Sequence, residues 1–170
     1  MPDAGLALVL GGARSGKSRF AEGLVTARPG PWLYIATAQA LDAEMGARIA
    51  EHRARRAPGW ETAEAPLELA AALAAAPPAR PVLVDCLTLW LSNALLAGRD
   101  VEAESRLLAD TLARPRGPWV VVANEVGLGI VPDNALARRF RDAAGWLNQR
   151  VAAAADRVVL AVAGLPVEVK

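Results

Sequence analysis

The sequence predicts an α/β fold in which a mostly parallel central sheet is covered by helices on both faces. Three observations carry this expectation. Short apolar runs at residues 6–10, 32–36, 82–86, 119–123 and 158–162 alternate with stretches of helical periodicity. The run Val82-Leu83-Val84-Asp85-Cys86 is apolar on consecutive positions, as a strand buried on both faces must be. The first run ends in Gly11-Gly12-Ala13-Arg14-Ser15-Gly16-Lys17-Ser18, the pattern G-x-x-x-x-G-K-[ST] placed between a strand and a helix.

Each element has its own local reason. Residues 19–27 continue from the glycine-rich loop as a helix, and Pro29-Gly30-Pro31 then forms a loop into Trp32-Leu33-Tyr34-Ile35-Ala36, the second strand. Residues 42–56 read as a helix stopped by Pro58-Gly59. A short extended piece over 60–64 leads to an alanine-rich helix over about 66–76, which Pro77-Pro78 ends. After the strand at 82–86 come helical segments over about 87–97 and 101–113, divided by Gly98-Arg99-Asp100. Beyond the strand at 119–123, Leu136, Phe140, Ala143, Leu147 and Val151 recur at helical spacing. Residues 158–162 form a strand and 167–170 a final edge strand.

Composition narrows the function classes. At 170 residues, 54% hydrophobic and 22% charged, the chain suits one domain over residues 1–170 with a sizeable core. A net charge of +1 supplies no basic field and argues against nucleic acid as the main partner. With Cys86 the only cysteine there is no disulfide framework, which points to a reducing, cytoplasmic compartment. No apolar run reaches the roughly 18 residues of a membrane span. Residues 5–13 have the look of a short signal core, but Asp3 stands where a signal carries Lys or Arg, so they are read as the first strand.

The glycine-rich loop is a nucleoside-triphosphate site. Its glycines let main-chain amides curl around a phosphate chain, and the following helix points its positive end at the same anion. Lys17 supplies a mobile cation for the β and γ phosphates, and the Ser18 hydroxyl suits Mg²⁺. In parallel sheets ligands bind beyond the carboxyl ends of the strands, so the residues there are the ones to question. Asp85 ends a strand where a second metal-binding carboxylate would stand opposite Ser18; the alternative is a helix N-cap for the segment from Leu87. Cys86, expected on the opposite side of its strand from Asp85, is a packing residue. Asn124 and Glu125 open a loop with two glycines and a proline. It is either a loop closing on substrate, with Glu125 a base or an outer metal group, or a connection whose Glu is simply exposed. The five tryptophans are spread out and read as packing residues.

His52 is the only histidine, so any imidazole chemistry runs through it. With Leu41, Met45, Ile49 and Arg56 it shares a helix face that begins apolar and turns polar. Arg48, Arg55 and Arg56 surround it at helical spacing. Such a cluster attracts phosphate and disfavours imidazolium, leaving a ring nitrogen available for attack. These residues alone leave a structural histidine open. They also leave open a plain phosphate-loop kinase of small molecules, or a non-catalytic nucleotide-binding module.

Several strings together resemble the bifunctional adenosylcobinamide kinase/adenosylcobinamide-phosphate guanylyltransferase family of cobalamin biosynthesis. They are the phosphate loop with Arg19, Tyr-Ile-Ala-Thr-Ala at 34–38, Arg48-Ile49 with His52, Trp-Glu-Thr-Ala-Glu at 60–64 and Asp-Cys-Leu-Thr at 85–88. Asn-Glu-Val-Gly-Leu-Gly-Ile-Val-Pro at 124–132, Ala-Arg-Arg-Phe-Arg-Asp at 137–142 and Asn-Gln-Arg at 148–150 complete the set. The 124–132 string and the spaced histidine are the specific ones. The resemblance implies a RecA-like P-loop NTPase fold and a homotrimer. It implies phosphorylation of adenosylcobinamide, then transfer of GMP from GTP to adenosylcobinamide phosphate with release of pyrophosphate. GTP and ATP are the implied substrates, with Mg²⁺ as cofactor. His52 is matched to the family's histidine, which carries GMP as a phosphoramidate. Nucleotide contacts are implied at Gly11 through Ser18, Ala36, Thr37, Ala38, Arg53, Ala54, Arg55, Arg56, Glu64 and Asp85.

Overall fold

Along β1 (Gly5–Gly11), Leu6 and Leu8 point into one core and Ala7 and Val9 into another, as the two-residue period of a strand requires. The computed structural model describes residues 4–39, Gly46, Ala50 and 58–170. Six further strands join β1: β2 (Trp32–Ala36), β3 (Trp60–Glu64), β4 (Val82–Asp85), β5 (Pro118–Asn124), β6 (Arg157–Val162) and β7 (Leu165–Glu168). The sheet order is β3-β2-β4-β5-β1-β6-β7. Every neighbouring pair is parallel except β6 and β7. This is the mostly parallel sheet, covered on both faces, that the sequence predicts for a P-loop nucleotide-binding fold.

The same alternation runs through the central strands. Leu33, Ile35, Val82, Val84, Trp119 and Val121 face the core shared with α2 (Leu69–Ala75), α3 (Leu87–Leu96), α4 (Val101–Leu112) and α5 (Ala135–Ala154). Tyr34, Leu83, Val120 and Val122 face the other core, where Ala21 and Val25 of α1 (Lys17–Thr26) cover them. Each fully buried Leu or Val contributes about 1.5–3 kcal/mol relative to exposure, so both faces are strongly driven to be covered.

Three differences from the sequence expectation have physical causes. First, α2 starts at Leu69 and not near Pro66. The carbonyls of Pro66 and Leu67 accept hydrogen bonds from the Asn93 amide (3.0 Å) and the Trp90 indole (2.8 Å) and are taken out of any helix. Second, the last strand begins at Leu165 because Ala163 and Gly164 form a two-residue turn with φ of 52° and 81°. Two positive φ values in a two-residue loop make the twist-compatible hairpin turn. Third, the apolar row of α5 meets the core only after its first turn: Leu147 and Val151 are buried, whereas Leu136 is 56% exposed. Of the tryptophans, Trp90 and Trp119 are buried and Trp32 packs against Trp60, but Trp146 is exposed and packs little. Within the helix expected over 42–56, Gly46 and Ala50 are helical; its other residues lie outside the described ones.

Candidate active site

Register brings the predicted residues to one end of the sheet. Glu64 pairs with Ala36, Ala36 with Asp85, and Gly11 with both Asn124 and Ala161. The carboxyl ends of β3, β2, β4, β5 and β1 therefore form one edge carrying Glu64, Ala36, Asp85, Asn124 and the phosphate loop. One strand, β5, separates β1 from β4, so their ends stand roughly 10 Å apart at the usual strand spacing. That gap suits a phosphate chain and a hydrated cation.

The phosphate loop is held from several sides. A Cβ on Gly11 would lie 2.4 Å from Ser15 Oγ and 2.8 Å from the Ala161 carbonyl oxygen, so only glycine lets β1 end here. Gly16 has φ +90° and is the N-cap residue of α1, so the first turn of the helix opens directly onto the loop. Lys17 Nζ donates to the Gly12 carbonyl at 3.0 Å across the loop mouth. The Gly164 amide donates to the Ser15 carbonyl at 2.9 Å, and the Glu125 amide donates to the Gly11 carbonyl at 3.1 Å. Ser15 Oγ is buried without a hydrogen-bond partner among the described residues. Gly12, Ala13, Arg14 and Gly16 are exposed and line the approach, while Ser18 is half-buried.

Asp85 accepts a hydrogen bond from the Tyr34 hydroxyl at 3.1 Å, on the face that α1 covers. It is not the N-cap of α3, which corrects that alternative: Cys86 occupies the cap position, and no side chain caps the helix there. Strand alternation ends at Asp85, so Cys86 does not face the side opposite the carboxylate. It packs into the core beneath α1, with Leu83 and Val122. Burial, then the Asp85 charge, pushes its thiol up to about 12, which leaves it inert at neutral pH.

Thr37, an expected nucleotide contact, has a side chain that is 0% exposed and a hydroxyl engaged by the main chain of Cys86. Its neighbours Ala36 and Ala38 are half-buried at the same edge. Glu125 receives the Gly127 amide on Oε1 at 2.6 Å, a local turn that sets the direction of the loop. His52, Arg53, Ala54, Arg55 and Arg56 lie outside the described residues, as does Arg48.

Ser18 and Asp85 are the oxygen donors that could hold a magnesium ion. Among the described residues no group of three or more His, Cys, Asp or Glu could hold a metal. Mg²⁺ commonly takes only one or two protein oxygens and completes its shell with phosphates and water. Ser18 and Asp85 supply that kind of set.

Residues missed by sequence reasoning support this edge. Thr88 Oγ1 accepts the Asn124 amide at 2.6 Å, Asn93 Nδ2 donates to the Thr37 carbonyl at 2.8 Å, and Gly164 braces the phosphate loop. The signal for the first two was a polar side chain on an otherwise apolar helix. Gly164 had none, because its partner loop lies some 150 residues earlier.

Residues 7–169 match the family described as cobinamide kinase / cobinamide phosphate guanyltransferase. The chain belongs to this family. It is 52% identical to the bifunctional adenosylcobalamin biosynthesis protein CobP of Pseudomonas aeruginosa, over 96% of each chain. It is 45% identical to the bifunctional adenosylcobalamin biosynthesis protein CobU of Salmonella typhimurium, over 96% of this chain and 98% of the relative. Among solved structures, the P4 protein of bacteriophage phi6 in complex with ADP aligns with 18% identity and a TM-score of 0.48. That alignment covers 96% of this chain and 52% of P4. The family and both relatives make the protein an enzyme of the cobinamide kinase/guanylyltransferase kind. No described helix is long and apolar enough to cross a membrane.

Proposed function

We propose that the two activities share the edge formed by the phosphate loop, Asp85 and the loop after β5, and that His52 carries GMP between them. The supporting observation is the convergence of Gly11–Ser18, Ala36, Glu64, Asp85 and Asn124 on one end of one sheet. The chain leaves that end at Thr37 to begin the stretch containing His52, and it re-enters the sheet at Trp60. His52 belongs to that connection, and its assignment as the GMP carrier rests on the family resemblance.

In the kinase step the acceptor hydroxyl of adenosylcobinamide attacks the γ-phosphorus of ATP or GTP. A P–O bond forms, the bond to the bridging oxygen breaks, and the nucleoside diphosphate leaves. The hydroxyl proton goes to a base, for which Glu125 is the candidate. In the second step a neutral His52 nitrogen attacks the α-phosphorus of GTP and expels pyrophosphate. An oxygen of adenosylcobinamide phosphate then attacks the phosphoramidate, giving adenosylcobinamide-GDP and restoring the imidazole. Lys17 and the loop amides offset charge on the transferring and departing phosphates, and Arg53, Arg55 and Arg56 are assigned the same task. Ser18 and Asp85 would hold Mg²⁺, which when bound draws charge from the phosphate oxygens. Ala36, Ala38, Ala54 and Glu64 are read as lining the nucleotide.

We read the protein as a cytoplasmic homotrimer that does not act on nucleic acid. The net charge of +1 and the family resemblance support this reading, and sedimentation velocity checks the assembly. The deciding experiment is mass spectrometry after exposure to GTP and Mg²⁺. Wild type should gain an acid-labile GMP adduct, and His52→Ala should lack it while still phosphorylating cobinamide. Undiminished GMP on His52→Ala would overturn the assignment.

A further inference from the structure

Asp85 stands across β5 from the phosphate loop, and its carboxylate accepts the Tyr34 hydroxyl. Its main chain and the corner that follows are held by Thr37. β2 and β4 pair as far as Ala36 with Asp85, and there the ladder ends. Thr37 continues it by one bond, its amide donating to the Asp85 carbonyl at 3.2 Å. Its hydroxyl then serves as a substitute strand. Oγ1 accepts the Cys86 amide at 2.8 Å and donates to the Cys86 carbonyl at 2.7 Å. The Thr37 carbonyl in turn accepts from Asn93 Nδ2, which also donates to Pro66 at 3.0 Å.

All three polar groups of Thr37 are therefore engaged, in a place with no access to water. Removing the hydroxyl would leave the buried Cys86 N–H unpaired and its carbonyl with the Trp90 amide alone, and an unpaired buried group of this kind forces the main chain to move. The clasp joins the end of β2, the corner after β4 and the middle of α3, which are the parts that decide where the carboxylate stands.

We propose that Thr37 is a positioning residue, acting with Asn93 to fix the corner after β4 and hence the place of Asp85 opposite Ser18. This rests on Asp85 being a metal carboxylate. The test is binding of Mn²⁺ to the GTP complex, followed by electron paramagnetic resonance, beside GTP binding measured with chelator present. Thr37→Val keeps the shape and loses both hydroxyl bonds. It should weaken Mn²⁺ about tenfold and leave metal-free GTP binding within about threefold. Thr37→Ser restores the hydroxyl and should bind Mn²⁺ within about threefold of wild type. The proposal is overturned if Thr37→Val binds Mn²⁺ as wild type does, if Thr37→Ser is as poor as Thr37→Val, or if metal-free GTP binding falls equally. Should Thr37→Val fail to fold, Asn93→Ala unlatches the carbonyl and should weaken Mn²⁺ about threefold; no change there also overturns it. Asp85→Asn, measured alongside, tests the metal assignment separately: wild-type Mn²⁺ binding in that variant removes the carboxylate's role whatever the Thr37 variants do.

Discussion

The loops after β1 and after β5 start from paired residues, Gly11 and Asn124, and are built in opposite ways. The first is pinned along its length by the Lys17, Gly164 and Glu125 hydrogen bonds and by glycines that admit no side chain. Among the described residues the second is fixed at its feet. At one foot the Glu125 carboxylate takes the Gly127 amide. At the other, Arg138 donates to the carbonyls of Pro132 (2.9 Å) and Asp133 (2.8 Å), and Asn134 caps α5. Between the feet Leu128, Ile130 and Val131 stand 86%, 97% and 61% exposed. A triphosphate has one shape and rewards a rigid cradle. A bulky acceptor with apolar edges rewards an arch that presents greasy side chains to it.

The contrast can be broken most sharply at the cradle. Lys17→Ala should cost about 10²–10³-fold in kcat for both phosphoryl and guanylyl transfer, since it removes a charge aimed at the transition state. Steady-state assays of each half-reaction check this, and loss of one activity alone would mean the loop serves only one. Gly16→Ala forces a Cβ into a φ of +90° and to 3.0 Å from Gly164 Cα. The strain of about 1–2 kcal/mol should raise the KM for GTP about tenfold or more, measured at saturating cobinamide.

The arch should respond differently. Leu128→Ser and Ile130→Ser should each raise the KM for cobinamide about fivefold, from roughly 1 kcal/mol of lost apolar contact, with GTP affinity unchanged. A changed sedimentation coefficient with unchanged KM would assign these side chains to contact between copies. Cys86, on the pinned side of the molecule, should ignore a thiol reagent at pH 8 until denaturant is added. Its pKa, about 12 when folded against 9.0 unperturbed, means that stability falls as pH rises above 9, because the unfolded thiol ionises first.

The smallest effect belongs to the helix on which the arch lands. Hydrogen bonds from Arg150 on α5, then from Arg106, hold the Glu102 carboxyl down at about 2 against an ordinary 4.5. A lowered folded value stabilises above pH 4.5 and fades as pH falls toward 2. Glu102→Gln should therefore lower Tm slightly at neutral pH, with the gap to wild type closing in acid.

The strands and the phosphate loop were legible because burial on both faces writes itself as unbroken apolar runs, and a cradle of amides needs glycine at set places. The strand order was not, since pairing of β1 with β5 depends on contacts over a hundred residues apart. The Ala163-Gly164 turn lacked the Asn or Asp that marks most such hairpins, so β7 was expected two residues late. Asp85 could be placed at a strand end, but whether it capped α3 depended on where that helix began. Thr37 was visible as part of a string and not as a clasp, because its partner is the main chain of Cys86, and main-chain partners leave no trace in residue identity.

The brace between Gly164 and the Ser15 carbonyl ties the nucleotide pocket to the antiparallel margin of the sheet. Guanine nucleotide entering the pocket should thus be audible at that margin: deuterium uptake at Gly164 and across the Val162–Leu165 pair should slow on loading, although neither lies in the pocket itself. Equal uptake with and without nucleotide would show the margin to be a bystander.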